Sequence, residues 1–350
     1  MNRILNEDML DIIRQPVNWE KLENKTVMIT GASGMVGSYF VRTLLKLNEV
    51  RDMNIHVVCV ARNTGKIGED IRLDRAAEIL SHDVTQPFEY DKKIDYIIHA
   101  ASPASPLIMQ DHPVGTIAAN VLGTYYTLEL AREKNAEGYM FISSREIYGQ
   151  PDEDQEFFTE DTYGFVDPLN PRSCYPEGKK AAETMCASYQ AEYGLNVKAA
   201  RLAHTYGPGM SVYDGRVQAD FLKNVLFHED IVMKSEGLPV RTYTYIADAV
   251  AGMFLILLNG TDIAYNIGDE NAKISIRGLA ELLVRITPGR GLSVRFDIPE
   301  GGTKGCAPFT LGILDSSKLR ALGWNPTNTI EEGFKRTIEY LEIEKEAGRL

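Results

Sequence analysis

Thr30-Gly31-Ala32-Ser33-Gly34-Met35-Val36-Gly37 decides how this chain folds. It follows an apolar run, Lys25 to Thr30, and opens onto Tyr39 to Leu47, where apolar residues recur at helical spacing. Glycines at 31, 34 and 37 let the backbone turn tightly and approach a phosphate with no Cβ in the way. The helix that begins there offers unpaired N–H groups and a partial positive charge. A glycine triplet alone is only a tight turn. Between a first strand and a helix it predicts a cradle for the pyrophosphate of a dinucleotide, built from Gly31, Ser33, Gly34, Met35, Val36 and Gly37.

Further buried strands follow outward from that turn, at Ile55–Val60, Ile79–His82, Asp95–His99, Gly138–Ile142 and Asn196–Arg201, with a helix over Thr116–Glu133. Strands apolar on both faces and alternating with helices predict a parallel sheet covered on two sides. The expected fold is α/β: a Rossmann-type doubly wound parallel sheet with a smaller C-terminal α/β lobe for the substrate. Residues 1–24 read as a helical extension and 25–205 as the dinucleotide-binding domain, to which 243–268 return. Residues 206–242 and 269–350 are left for the lobe.

The chain has 350 residues, enough for a full core plus a lobe, and a formal net charge of -12. That balance speaks against nucleic acid and anionic membranes as partners, since both need a basic surface. Four cysteines without C-x-x-C spacing point to a reducing cytoplasm rather than a disulfide framework. Six scattered histidines give no metal-binding pattern. The first residues lack the apolar core of a secretion signal, and the longest apolar run, Ala249–Leu258, is interrupted by Gly252 and too short for a bilayer.

Chemistry enters with Tyr175-Pro176-Glu177-Gly178-Lys179, downstream of Ser143-Ser144. A free phenol has a pKa of about 10, so a base near neutral pH needs a shift of about three units, roughly 4 kcal/mol. A lysine one helical turn on and an oxidised nicotinamide would supply it. Tyr175 then takes the proton of a substrate hydroxyl, Ser144 holds that oxygen, and Lys179 also grips the nicotinamide ribose. The second strand ends in Val60-Ala61-Arg62-Asn63, with no acid for a ribose 2′-hydroxyl. NAD is expected from the chemistry, and Arg62 keeps NADP open. Asp83, after the third strand, either accepts from an adenine amine or caps its own turn.

At these residues the chain resembles the extended short-chain dehydrogenase/reductases that modify nucleotide sugars, the NAD-dependent epimerase/dehydratase family. The resemblance rests on Thr30–Gly37, His99-Ala100-Ala101-Ser102-Pro103-Ala104-Ser105-Pro106, Asn120–Thr124, Ser143–Gly149 and Tyr175–Lys179. It extends through Thr205-Tyr206-Gly207-Pro208, Asp214-Gly215-Arg216-Val217, Arg241-Thr242-Tyr243 and Leu322–Pro326. The pattern is most similar to UDP-glucuronate decarboxylases. The resemblance implies a transient 4-keto sugar, recycled hydride, a UDP-sugar substrate and a homodimer formed through two long helices. It places Val84, Ala100, Ala101, Ser102 and Asn120 beside the cofactor, with Asn120 fixing backbone rather than doing chemistry. Glu146 takes the position of the family's catalytic carboxylate, beside Ser144, Tyr175 and Lys179. Pro103, Ser105, Arg145, His204, Arg216 and Arg241 fall toward the substrate, the last two at its diphosphate.

Several departures stand out. Arg145 replaces the aspartate of 4,6-dehydratases, His204 a usual asparagine, and Gly209 a common arginine. The segment Phe309–Asp315 lacks the arginine that decarboxylases place before the corresponding aspartate. A 4,6-dehydratase and a 4-epimerase are therefore the alternative reactions. A nucleotide sensor on the same fold is the alternative outside enzymes, and the retained Tyr175 and Lys179 speak against it.

Overall fold

The structure, a computed structural model, describes residues 2–150, 155–298 and 313–350. Helix α1 (Arg3–Ile13) leads into strand β1 (Thr26–Thr30), helix α2 (Met35–Arg51), β2 (His56–Ala61), the short α3 (Glu69–Arg72) and β3 (Ala77–Ser81). The chain continues through β4 (Tyr96–His99), α4 (Pro106–Asp111), α5 (Pro113–Glu133), β5 (Gly138–Ser144), β6 (Phe157–Phe158), α6 (Cys174–Tyr193), β7 (Val197–Leu202) and β8 (His204–Tyr206). Then come α7 (Val217–Leu226), β9 (Ile231–Met233), β10 (Val240–Tyr245), α8 (Ile246–Asn259), β11 (Ala264–Ile267), β12 (Lys273–Ser275) and α9 (Ile276–Ile286). The last elements are β13 (Val294–Phe296), β14 (Ile313–Leu314), α10 (Ser317–Arg320) and α11 (Ile330–Glu346).

Seven strands form one sheet in the order β3-β2-β1-β4-β5-β7-β11, and every neighbouring pair is parallel. Parallel strands need helices on both faces, so β1, β2 and β4 carry apolar side chains on each side and are almost wholly buried. The Rossmann expectation is met. Strand order reverses between β1 and β4, which opens a crevice beyond their carboxyl ends. A smaller three-stranded sheet, β12-β10-β8, stands beside the large one, with β10 parallel to β8 and antiparallel to β12.

Two helices start earlier than periodicity suggests. The helix read from Tyr39 begins at Met35, because the glycine turn needs no spacer. The helix read from Thr116 begins at Pro113, whose missing N–H costs nothing in a first turn.

Helix α1 buries Ile4, Leu5, Met9, Ile12 and Ile13. It also buries Asp8, which accepts from the Tyr39 hydroxyl at 2.6 Å and the Tyr245 hydroxyl at 2.9 Å and pairs with Arg336 at 2.5 Å. One carboxylate thereby joins α1, α2, the end of β10 and α11. Among the described residues no helix is long and apolar enough to cross a membrane, and Cys59, Cys174 and Cys186 are free thiols.

Candidate active site

The cradle is tight enough to exclude any side chain. Gly31 has φ +71°, and a Cβ there would lie 2.8 Å from the Ala100 carbonyl and from the Ala101 nitrogen. A Cβ at Gly37 would sit 2.2 Å from the Gly31 oxygen. The glycine turn therefore rests against the loop after β4, at the switch point of the sheet. Gly34 occupies the N-cap of α2 and offers no side-chain cap, so the first N–H groups of the helix have no side-chain acceptor there. Ser33, Met35 and Val36 are half-buried around it. The site fits a pyrophosphate. At Gly209, where the family commonly has arginine, an added Cβ would lie 3.6 Å from Met35 Cγ.

Arg62 is exposed at the end of β2. Its charge reaches Asp83, whose carboxyl is held below its ordinary value first by the Thr85 backbone N–H. Asp83 Oδ1 accepts from both the Thr85 nitrogen and hydroxyl, which is the turn-capping arrangement. Val84 is buried against Gly123, where a Cβ would meet it at 3.0 Å. Ser102 donates to Asn120 Oδ1 at 2.8 Å, and Asn120 in turn donates to the Thr116 carbonyl. A Cβ at Gly178 would lie 3.0 Å from Asn120 Cβ, so this glycine lets α6 close on α5. Asn120 thus sets the distance between the loop after β4 and the helix that carries Tyr175.

Ser144 ends β5, and its hydroxyl accepts from the Glu146 N–H at 3.2 Å. Tyr175 and Lys179 lie in the first turns of α6, both buried. Lys179 Nζ donates to the Ile142 carbonyl at 2.7 Å and stands 5.6 Å from the centre of the Tyr175 ring. Burial brings its ammonium down to about 7. Burial also pushes the Tyr175 phenol up to about 12, Glu146 adds to that, and a hydrogen bond with Ser144 opposes it. The expected depression of the phenol is therefore not produced by these side chains: desolvation outweighs Ser144, Arg216 and Arg172, the groups that lower it. Behind Lys179, His99 is buried and held neutral, its pKa driven down to about 3 by burial and by the lysine. Its Nδ1 shares a 2.7 Å bond with the Thr30 hydroxyl.

Glu146 pairs with Arg172 at 3.0 Å, leaving its Oε2 buried without a partner among the described residues. Sequence reasoning passed over Arg172. Its only signal was its place three residues before Tyr175, and the pairing depends on a turn that brings residue 172 back to residue 146.

On the substrate side, Ser105 donates to the Asp214 carbonyl at 2.7 Å and ties the 103–105 loop, with half-buried Pro103, to the 214–216 turn. Arg216, at the head of α7, holds the Asp214 carboxylate through Nε at 2.8 Å and Nη2 at 2.5 Å. Arg241 lies on β10 and donates to the Val240 carbonyl. The charges of Arg145, Arg241 and Arg216 all bear on the His204 ring, which burial already keeps neutral. The same three reach the Tyr243 hydroxyl. His204 Nδ1 and that hydroxyl are both buried without partners among the described residues. Tyr243 is a second residue the sequence did not single out. The missing arginine of Phe309–Asp315 falls mostly outside the described residues.

Residues 27–268 match the NAD dependent epimerase/dehydratase family. The chain belongs to that family. The match spans the cradle, the serine pair and the Tyr175–Lys179 helix, so the convergence described above lies within it. The chain is 32% identical over 337 residues to UDP-glucuronic acid decarboxylase 1 of Xenopus tropicalis, covering 93% of this chain and 74% of that one. It is 33% identical over 317 residues to UDP-glucuronic acid decarboxylase 3 of Arabidopsis thaliana, covering 89% and 87%. Among solved structures, UDP-glucose 4-epimerase of Thermotoga maritima superposes with a TM-score of 0.76 at 26% identity, covering 91% of this chain and 99% of that one. This member of the family is an NAD-dependent nucleotide-sugar enzyme.

Proposed function

We propose that this enzyme decarboxylates a UDP-linked glucuronate through a 4-keto sugar, taking hydride from C4 and returning it within one turnover. The observation that carries the reading is the meeting of Ser144, Glu146, Tyr175 and Lys179 beyond β5, with the cation Arg145 set between the first and second of them. Curated decarboxylases that share about a third of their residues with it over nine-tenths of the chain support the choice of reaction.

NAD, when bound, supplies the hydride acceptor and a positively charged ring. In the proposed reaction Tyr175 takes the C4 hydroxyl proton while Ser144 fixes that oxygen, which sets both proton and hydride on one line. Lys179, anchored on the Ile142 carbonyl, holds the ribose and keeps a positive field near the phenol. The C4 ketone is then β to the C6 carboxylate. As the C5–C6 bond breaks, its electron pair passes to the ketone oxygen, and Tyr175 and Ser144 steady the enolate that forms. Glu146, fixed at one oxygen by Arg172, governs the proton at C5. Arg216 and Arg241 take the diphosphate, whose oxygens suit a guanidinium fork.

Incubation of the NAD-loaded enzyme with UDP-glucuronate tests this by product mass. Loss of carbon dioxide is the expected result; loss of water, or an unchanged mass with altered configuration, overturns it. The second outcome is the 4-epimerase reading, favoured by the absence of an arginine from Phe309 to Asp315. A cytoplasmic homodimer completes the proposal. Exposed Val114, Ile117, Leu122 and Tyr125 on α5 support the dimer, and light scattering of the purified protein checks it.

A further inference from the structure

We propose that Arg145 receives the carboxylate of the bound sugar, and that this residue sets the preference for a uronate over a neutral hexose. The inference rests on the uronate half of the reading above.

Position comes first. Arg145 opens the turn Arg145–Tyr148 directly after β5, between the serine that faces C4 and the glutamate assigned to C5. It therefore stands at the sugar end. Arg216, at the head of α7, and Arg241, on β10, belong to other elements, although the charge of Arg241 reaches Arg145, and they suit the diphosphate.

Isolation comes second. Arg145 is only 8% exposed. Asp214 is held by Arg216, and Glu146 is held by Arg172 through one oxygen; neither makes an ion pair with Arg145. Burial brings the guanidinium down to about 9, with Arg241 adding repulsion and Glu146 only partly offsetting it. A cation stripped of water and without an ion pair among the described residues is unfavourable, and a ligand carboxylate relieves it through two parallel hydrogen bonds. A hexose with a neutral C6 hydroxyl does not.

The surroundings agree. His204 Nδ1 and the Tyr243 hydroxyl are buried, unpartnered among the described residues, and within the reach of Arg145's charge. They furnish further hydrogen-bonding groups near it. The chain also carries no arginine from Phe309 to Asp315 that would do the same work.

The role is in binding and selection. Negative charge leaves the carboxylate as carbon dioxide departs, so an arginine held on it stabilises the bound substrate more than the transition state. Its loss should raise KM and leave kcat unchanged or somewhat higher.

The test uses NADH-loaded enzyme, in which C4 hydride has no acceptor and the ligand stays intact. UDP-glucuronate, UDP-glucose and UDP are titrated calorimetrically into the wild type and into Arg145→Met, with melting curves to verify folding. The wild type should bind the glucuronate about 100-fold more tightly than the glucose. In Arg145→Met that ratio should fall to within about 3-fold while UDP affinity holds, and Arg145→Lys, which keeps the charge but loses the fork, should fall between. An unchanged ratio in Arg145→Met overturns the proposal, as does equal loss of UDP affinity, which would make Arg145 a diphosphate ligand. The decarboxylation reading stands or falls separately. A ratio that collapses in an enzyme releasing no carbon dioxide upholds Arg145 and removes the reaction. Carbon dioxide release by an enzyme that binds both sugars alike does the reverse.

Discussion

Tyr175 sits between opposing charges, and its environment sets the pH at which it can act. Glu146 raises the phenol, while Arg172 and Arg216 lower it after Ser144. Glu146→Gln removes a charge that disfavours the phenolate, so the rising limb of the kcat/KM profile should move to lower pH. Arg172→Met removes a cation that favours it, and the limb should move to higher pH. Opposite displacements in a pH–rate measurement are the expected result, whatever happens to the maximal rate. Lys179 gives a stability counterpart. Its folded-state pKa is about 7 against an ordinary 10.5. Between those values the unfolded chain holds the extra proton, so stability rises with pH across that window. Thermal melts without added nucleotide should show Lys179→Met more stable than wild type below pH 7, with the gap closing toward pH 10. At this scale Tyr175, Ser144 and Lys179 could be proposed because spacing and order carry their chemistry, and Glu146 came only from the family resemblance. Arg172 and Tyr243 were not, since an ion pair across 26 residues and an unpartnered hydroxyl exist only once the chain has turned.

At the level of elements, the cradle is the least forgiving join. A methyl at residue 37 would have to displace the Gly31 oxygen, which lies only 2.2 Å away. Gly37→Ala should cost about 2 kcal/mol, a typical overpacking penalty. It should also weaken NAD binding by about 10-fold or more, because the same backbone shift opens the pyrophosphate turn. Denaturant titration and NAD calorimetry check the two effects. Strands β1, β2, β4, β5 and β7 could be read from the sequence because helices on both faces demand continuous apolar runs. The β12-β10-β8 sheet could not. Two of its strands are three residues long, and Val240–Tyr245 mixes polar and aromatic side chains in a way that favours no single period. Pro113 escaped notice as a helix start because proline reads as a break as readily as a first turn.

For the whole molecule, the Asp8 cluster binds the two ends of the chain together. Arg336 and the Tyr39 and Tyr245 hydroxyls all converge on one buried carboxylate. Asp8→Ala would leave Arg336 only its longer contacts to Glu7 at 3.4 Å and Asp11 at 3.9 Å and strip the Tyr39 and Tyr245 hydroxyls of their acceptor, which should cost about 3 kcal/mol, the low end for a broken buried pair. Urea unfolding should show a loss of that order, with little change in the KM for nucleotide sugar, since the cluster lies apart from Ser144 and Tyr175. Residues 1–24 read in the sequence as a helical extension, and nothing there singled out Asp8. Only its depth in the structure gives it a role.

The separation between Asp8 and Arg336 also bears on biogenesis. The first helix emerges from the ribosome 328 residues ahead of the arginine that neutralises it. Until α11 has been made, that helix carries a carboxylate without its arginine and stays loosely docked. Final consolidation of this cluster thus follows the synthesis of α11, and a nascent chain stalled before it would be left open to proteases and chaperones.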